Sequence, residues 1–304
     1  MERFEVNILG CGSALPTTRH FLSSQVIHLR NSLYMIDCGE GAQLQFRAMK
    51  LNFQKLNCIF ISHLHGDHCF GLPGLVSTLG LLGRTSDLHI YAHADAEKLF
   101  APLLRYFCKE LPYRICFHAF NPEKNELIFE DKNLKVTTVP LKHRVPAAGF
   151  LFEEKPRSPH IIREMIDFYR VPVSLIRAIK EGAPFVTDAG ETIPNTRFTR
   201  PSEPPGKYAY CSDTAYYEQI IPVITDVNVL YHEATFCNAD SARAKETFHS
   251  TAAQAASVAR AANAGRLLIG HFSARYPDEQ ILLREALEIF PHTQLAYEKM
   301  ILKV

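Results

Sequence analysis

The chain has 304 residues, with 33 Lys and Arg against 32 Asp and Glu, and 47% of its residues are hydrophobic. This composition is typical of a globular protein that is large enough to bury a core without disulfides. The formal charge of +1 excludes a uniformly basic nucleic-acid coat, so a polyanion would have to be bound by a local patch or a metal. No apolar run has the length of a membrane span and the first residues do not resemble a signal peptide, so we expect a soluble, cytoplasmic protein.

Cysteine and histidine point to different roles. The eight Cys form no C-x-x-C pair and lie mostly in apolar stretches, which favours buried free thiols over disulfides or a Cys-based zinc site. The 14 His include several within one short segment, and we expect the functional site there.

Short apolar runs bounded by Gly, Pro, Asn or Asp predict the strands of the first half. These runs are residues 4–9, 24–29, 32–36, 58–61, 88–91 and 134–139. Residues 95–107 have the apolar spacing of a helix.

The composition changes over residues 153–205, which contain eight Pro and one amphipathic segment, IIREMIDFY. We expect an inserted, protruding arm between two halves of a single domain spanning 1–304, with a solvated surface excursion as the alternative. The basic and acidic residues of this arm nearly balance, so its charge alone does not predict RNA binding.

The second half repeats the alternation of strands and helices. Strands are predicted at 207–211, 227–231 and 266–269. An Ala-rich helix should begin after Ser250 or Thr251 and stop at Gly265, and a last helix should follow Pro277. Together these elements predict an α/β layered fold with its helices outside.

The segment SHLHGDH after the strand that ends near residue 61 predicts a metal site. In an extended chain, His63 and His65 point to the same side and can share one ion. Asp67 and His68 follow Gly66, where the chain can turn and direct both side chains at a second ion. Packing offers no reason for three His and one Asp within six residues.

Three polar residues at later strand ends complete a ligand count, although each alone is more often structural. They are His143, Asp213 and His271. We expect His63, His65 and His143 on one ion, with Asp67, His68 and His271 on the other. Asp213 is placed to bridge the ions, which leaves an open position for water.

The charge of such a site favours an anionic substrate. Two divalent cations outweigh two carboxylates and a hydroxide by about one unit. A phosphodiester fits, because one metal lowers the pKa of bound water to roughly 7 while the other neutralises developing charge.

These ligands, in this order, resemble those of the metallo-β-lactamase superfamily, whose fold is a four-layer αββα sandwich with two zinc ions at one edge. Further segments resemble the ribonuclease Z subgroup in its short form. They are LGCGSALPTTRHFLSS, DCGEGAQLQ, SHLHGDHCFGLPGL, HEAT at 232–235, HST at 249–251 and GHFSARY at 270–276.

The resemblance implies roles for three residues beside the metals. Asp67 is the usual proton acceptor, although a pure ligand role is equally compatible with its type. His249 is similar to the residue that protonates the departing 3′-oxygen, and Glu233 to the carboxylate that orients it. Asp37 is expected to support the ligand loop rather than bind metal, because Gly39 and Gly41 mark a tight turn.

The resemblance also implies an activity and an assembly. The expected reaction is attack of a metal hydroxide on precursor tRNA, leaving a 3′-hydroxyl on the tRNA and a 5′-phosphate on the trailer. The expected assembly is a homodimer in which the arm of one subunit holds tRNA while the other cuts. Residues 171–174 replace the family's Gly-Pro pair and residues 204–208 lack the Arg of its Pro-x-Lys-Arg loop, so the mode of docking is open.

Two other classes of function share the metal motif. One comprises small-molecule phosphodiesterases and thioester hydrolases similar to glyoxalase II, against which HST, HEAT and the arm argue. The other is a non-catalytic RNA-binding relative, which should have lost metal ligands; this sequence retains all seven.

Overall fold

The computed structural model describes residues 4–304. Met1–Arg3 lie outside the described residues, so the expectation of no signal peptide concerns a segment that is only partly described. The chain forms two compact units. One comprises the chain up to Glu153 together with Gly206–Val304, and the other is Glu154–Pro205.

The strands of the described residues are numbered in chain order. They are β1 (Phe4–Gly10), β2 (Ser24–Leu29), β3 (Ser32–Ile36), β4 (Leu56–Phe60), β5 (Leu88–His93), β6 (Ile115–Phe120), β7 (Leu127–Glu130), β8 (Leu134–Pro140), β9 (Ala148–Glu154), β10 (His160–Ile161), β11 (Phe185–Val186), β12 (Thr192–Ile193), β13 (Thr199–Arg200), β14 (Lys207–Cys211), β15 (Val229–Glu233), β16 (Arg266–Gly270), β17 (Thr293–Leu295) and β18 (Ile301–Lys303).

The α-helices of the same residues are numbered in the same way. They are α1 (Ala42–Ala48), α2 (Gly66–Cys69), α3 (Leu72–Leu81), α4 (Asp95–Phe107), α5 (Arg163–Phe168), α6 (Ile176–Lys180), α7 (Ser241–Thr247), α8 (Ala252–Ala261) and α9 (Gln280–Leu287).

Two seven-stranded sheets form the larger unit, in the orders β18-β1-β2-β3-β4-β5-β6 and β17-β16-β15-β14-β9-β8-β7. Strands β3 to β6 pair in parallel in the first sheet, and β14 to β17 in the second. Parallel strands carry the same ends to one edge of a sheet, and the functional residues lie at the carboxyl ends.

The sheets stack face to face with helices on their outer faces. Phe60 of the first sheet contacts Phe150 and Phe152 of the second, with ring centroids 5.6 and 5.5 Å apart. Helices α1, α3 and α4 cover the first sheet, whereas α8 and α9 cover the second. This confirms the α/β layered fold predicted from the sequence patterns and the four-layer αββα sandwich implied by the family resemblance.

Burial on both faces explains why the strands read as continuous apolar runs. In β3, Tyr34 and Ile36 pack between the sheets, whereas Leu33 and Met35 pack beneath the helices. The two sets alternate because side chains on a strand point to opposite faces.

The smaller unit, Glu154–Pro205, has a core of its own. Two short hairpins, β10 with β13 and β11 with β12, combine with α5 and α6. Their apolar side chains surround Phe198, which is fully buried, and Ile179. The amphipathic segment noted in the sequence forms part of this core through Ile166.

Some predicted boundaries are wrong. The Ala-rich helix α8 begins after Thr251 as expected but ends at Ala261 rather than at Gly265, because Asn263 already adopts a left-handed conformation with φ of 51°. The elements that the sequence patterns missed include β6, β7, β9, β17, β18, α1, α3 and α7. All eight cysteines are unpaired, and no helix within 4–304 is long and apolar enough to cross a membrane.

Candidate metal centre

The predicted ligands meet at one edge of the sandwich because each follows the carboxyl end of a strand. His63, His65, Asp67 and His68 follow β4, His143 follows β8, Asp213 follows β14, and His271 follows β16. The structure brings all seven together in two groups that share Asp213.

The first group contains three imidazoles. Nε2 of His63 lies 3.1 Å from Nδ1 of His65, which lies 3.3 Å from Nε2 of His143. Oδ2 of Asp213 lies 3.6 Å from the His63 nitrogen and 3.8 Å from that of His143. Ligand atoms about 2.0–2.1 Å from a tetrahedral zinc ion lie roughly 3.3 Å from one another, so this spacing fits one ion.

The second group contains two imidazoles and a second carboxylate. Oδ2 of Asp67 lies 3.4 Å from Nε2 of both His68 and His271. The other carboxylate oxygen of Asp213, Oδ1, lies 3.4 Å from the His68 nitrogen and 3.1 Å from that of His271. Asp213 therefore presents one oxygen to each group, the arrangement expected of a bridging carboxylate.

Two buried atoms in the second group support a metal. Nε2 of His68 and Oδ1 of Asp213 are buried and have no hydrogen-bond partner. Buried polar atoms without partners are costly, so such atoms in a folded protein need an explanation. Converging imidazole nitrogens and carboxylate oxygens are a donor set suited to zinc, and the residues present fit two ions.

Three of the imidazoles are also held through the nitrogen that faces away from the metal groups. Nδ1 of His68 lies 2.7 Å from Asp37, and Nδ1 of His143 lies 3.0 Å from the Phe248 carbonyl oxygen. Nδ1 of His63 faces the Ser62 hydroxyl at 3.1 Å. Such partners fix the orientation and tautomer of a metal-binding imidazole.

Asp37 organises the loop that carries these ligands. It accepts hydrogen bonds from the Ser62 backbone N–H at 2.7 Å, from the Ser62 hydroxyl at 2.9 Å and from the Tyr210 hydroxyl at 2.7 Å. Asp37 and His271 both have left-handed backbones, with φ of 54° and 62°. Each such conformation costs about 1–2 kcal/mol outside glycine, and such strain concentrates at functional sites.

Burial and the charges of neighbouring ligands shift the pKa values of the metal-site residues. Burial lowers the pKa of His63, and the neighbouring His68 lowers it further. Burial would raise the pKa of Asp213, but the imidazoles of His271, His68 and His63 hold that pKa well below its usual range. The carboxylate is thus kept in its charged form, which a metal requires.

His249 and Glu233 form a buried pair beside the metal groups. Nδ1 of His249 lies 2.8 Å from Oε1 of Glu233. Burial lowers the pKa of His249, but the charge and hydrogen bond of Glu233 outweigh that effect and raise the pKa to about 9. Glu233 also accepts from the backbone N–H groups of Thr214 and Ser250, so it is anchored rather than solvent-facing.

Thr235 is a site residue that the sequence interpretation missed. Its hydroxyl lies 2.7 Å from Oε2 of Glu233 and 2.8 Å from Nδ1 of His271, and so links the carboxylate to a metal-binding imidazole. Thr235 is the last residue of the HEAT segment, which the sequence analysis did note. A single threonine near Glu233 does not by itself indicate a functional role, so Thr235 was not singled out.

The metal groups open into a cavity of about 660 Å³. Its lining includes the metal-site residues His65, Asp67, Asp213 and His271, together with His249. Arg144, Arg243 and Arg275 also line it together with one further carboxylate, Glu40, so the rim has more basic than acidic side chains. Arg243 also pairs with Glu246 at 2.6 Å. The Arg275 guanidinium is oriented by Asp240 at 3.1 Å and by the Phe236 ring at 5.7 Å. The cavity is therefore suited to an anion larger than a single phosphate.

The family model described as anti-Pycsar protein Apyc1 matches residues 4–156, half of the chain. This match includes His63 to His68 and His143 but ends before Asp213, Glu233, His249 and His271.

Relatives that match over the full length of this chain are named ribonuclease Z. Ribonuclease Z of Bacteroides thetaiotaomicron is 60% identical over 304 residues, covering 100% of this chain and 96% of that protein. Ribonuclease Z of Parabacteroides distasonis is 59% identical and covers 100% of both chains.

Two solved structures superpose on nearly the whole chain. The short form of human tRNase Z superposes with a TM-score of 0.72 at 25% identity and covers 99% of both chains. The metallo-β-lactamase fold protein YhfI from Bacillus subtilis gives a TM-score of 0.71 at 18% identity with full coverage of both chains, a likeness of fold.

Proposed function

Because this chain belongs to the ribonuclease Z family, we propose that it removes the 3′ trailer of precursor tRNA by zinc-dependent hydrolysis. It is an endoribonuclease of tRNA 3′ processing. The two zinc ions, their ligands and the roles of the neighbouring side chains are the parts of the proposal that need testing.

One observation carries the chemistry. Asp213 directs its two oxygens to two different ligand groups, and the His249–Glu233 pair lies beside the same cavity. In the proposal one ion is held by His63, His65 and His143, and the other by Asp67, His68 and His271. When bound, the ions supply Lewis acidity and a water made nucleophilic at neutral pH.

Asp67 has two roles in the proposal. The oxygen that faces His68 and His271 is a ligand, and the remaining carboxylate oxygen accepts the proton of the attacking water. The imidazoles of His68 and His271 hold the pKa of Asp67 well below its usual range, so its carboxylate is charged but a weak base; the transfer relies on a metal that lowers the pKa of the bound water.

His249 is the proposed general acid. In its protonated form it donates to the 3′-oxygen that leaves as the phosphodiester bond breaks. Glu233 orients the imidazole and stabilises its positive charge. The products are then a 3′-hydroxyl on the tRNA and a 5′-phosphate on the trailer, and the 2′-hydroxyl of the substrate takes no part.

The test is cleavage of an end-labelled precursor tRNA, with and without a chelator, followed by mapping of the new ends. We expect chelator-sensitive cleavage that leaves a 3′-hydroxyl. Asp67→Asn should abolish cleavage, whereas His118→Asn, a histidine variant on β6 that is not part of the cavity lining, should cleave normally. A 2′,3′-cyclic phosphate at the new end would disprove the mechanism.

A small-molecule phosphodiesterase is the second candidate. The seven metal-site residues suit any phosphodiester that enters the cavity, so by themselves they do not distinguish a small substrate from RNA. Hydrolysis of an aryl phosphodiester without cleavage of precursor tRNA would favour it, and would leave the metal assignment intact.

The proposal includes a cytoplasmic homodimer in which one subunit's Glu154–Pro205 unit binds tRNA while the other subunit cuts. Lys207 pairs with Glu153 across β14 and β9, so the ends of this unit are adjacent and a short turn can replace it. A chain without the unit should be inactive alone and should regain activity when mixed with full-length Asp67→Asn. Light scattering that reports a monomer, or no recovery in the mixture, would contradict this assembly.

A further inference from the structure

A second group of metal-binding side chains lies outside the proposed active site. Cys11 directly follows β1, His20 precedes β2, and Glu298 lies between β17 and β18. Sγ of Cys11 is 3.5 Å from Nδ1 of His20 and 3.5 Å from Oε1 of Glu298. The same imidazole nitrogen is 3.2 Å from each oxygen of Glu298.

These separations match the edges of a zinc tetrahedron. With Zn–S about 2.3 Å and Zn–N or Zn–O about 2.0–2.1 Å, sulfur should lie roughly 3.5 Å from the nitrogen and the oxygen. The nitrogen and oxygen should lie roughly 3.3 Å apart. The three distances among Cys11, His20 and Glu298 agree with these values.

The His20–Glu298 contact is longer than a single charge-assisted hydrogen bond between these groups. Charge-assisted bonds between imidazole and carboxylate measure about 2.7–2.9 Å. The bonds of His68 with Asp37 and of His249 with Glu233 have such lengths, 2.7 and 2.8 Å. His20 instead lies equally far, 3.2 Å, from both oxygens, within the range found among the ligand atoms of the dinuclear site.

The surroundings of the group also suit a metal. The other nitrogen of His20, Nε2, lies 3.1 Å from Oε1 of Glu279, which Arg19 holds at 2.8 Å. A carboxylate on the far nitrogen is the usual partner of a metal-binding imidazole. The Cys11 sulfur also lies 3.5 Å from the carbonyl oxygen of Ala296.

We propose that Cys11, His20 and Glu298 bind one zinc ion, separate from the two ions of the active site. Zinc is favoured because thiolate, imidazole and carboxylate together suit this borderline-soft divalent ion, whose charge the thiolate and carboxylate neutralise. Binding releases the thiol proton of Cys11. The ion would join the segment that carries Ser13 and Ala14, which line the active-site cavity, to the C-terminal part of the chain.

Cobalt substitution tests the site without relying on activity. The seven proposed active-site ligands offer only nitrogen and oxygen, so a sulfur-to-cobalt charge-transfer band in the near ultraviolet has to come from a thiolate site. Metal-free, full-length protein titrated with Co²⁺ should develop this band and bind one cobalt equivalent more than Cys11→Ser does. The band should disappear in Cys11→Ser and weaken in Glu298→Gln, which preserves side-chain shape.

Cys69→Ser is the matched control, because Cys69 lies next to His68 in sequence but its sulfur contacts the His65 carbonyl oxygen at 3.1 Å. It should keep both the band and the metal content. Absence of the band in wild-type protein, or its persistence in Cys11→Ser, would overturn the proposal. Neither result depends on whether the chain cleaves tRNA, so the two proposals fail independently.

Discussion

At the scale of single residues, the His249–Glu233 pair makes a prediction about pH. Glu233 raises the pKa of His249 to about 9, so the imidazole keeps its proton below that pH and loses it above. Activity that needs the protonated form should fall at alkaline pH, with its midpoint at or below about 9 because bound zinc ions lower this pKa. In Glu233→Gln this fall should move to lower pH, as a profile of kcat/KM against pH would show.

Replacing the imidazole separates this role from a structural one. His249→Asn should lower kcat by roughly 10²–10⁴-fold, the usual contribution of a general acid, with little change in metal content. An alkaline limb that stays in place in Glu233→Gln would show that His249 is not the titrating group.

Asp37 yields a second residue-scale prediction, because it lies outside both ligand groups yet contacts His68 at 2.7 Å. Asp37→Asn removes the charge that favours the required tautomer and should weaken zinc binding by roughly 10–100-fold. Competition with a chromophoric chelator measures this. Asp87→Asn, at a surface pair with Arg114, is the control, and equal zinc affinity in both variants would refute the orienting role.

Sequence reasoning went furthest where ligands are close in the chain. His63 to His68 predicted a metal site because their spacing has no packing explanation. Thr235, Tyr210 and Ser62 were missed, because their importance depends on contacts that only the folded chain creates. Tyr210, for example, reaches Asp37 across 173 positions of sequence.

At the scale of elements, local signals predicted helix starts better than strand pairing. The start of α8 was predicted from Ser250 or Thr251 as the cap of an Ala-rich segment; in the structure Thr251 is the cap and forms a capping box with Gln254. Strand β9 was missed although six of its seven residues are buried, since its Glu-rich end obscures the apolar pattern. Pairing of β9 with β14 joins segments separated by the whole smaller unit, which no local pattern reveals.

The capping box makes the element-scale prediction. Thr251→Ala removes the side chain that accepts from the Gln254 N–H and should lower the free energy of unfolding by about 0.5–2 kcal/mol. Urea denaturation followed by circular dichroism measures the loss. Ser257→Ala, within the same helix, should change stability by less than about 0.5 kcal/mol. Equal stability of the two variants would mean that the cap contributes nothing.

At the scale of the whole molecule, the charge balance bears on how a polyanion is bound. The chain carries a formal charge of only +1, so binding has to rely on local charge. Arg144, Arg243 and Arg275 concentrate positive charge around the cavity, and bound metal ions would add to it. The α/β sandwich achieves this by bringing strand ends and loops from both halves of the chain to one edge.

This concentration predicts how salt affects tRNA binding. Each phosphate contact releases counterions, so the logarithm of the association constant should fall linearly with the logarithm of salt concentration. Arg243→Gln should reduce the steepness of that fall by about 0.7–0.9, the contribution of one phosphate contact. Lys98→Gln, an exposed residue paired with Asp95 outside the cavity lining, should leave the slope unchanged. Fluorescence anisotropy of labelled precursor tRNA with Asp67→Asn protein measures binding without cleavage, and equal slopes with and without Arg243 would place the phosphate contacts elsewhere.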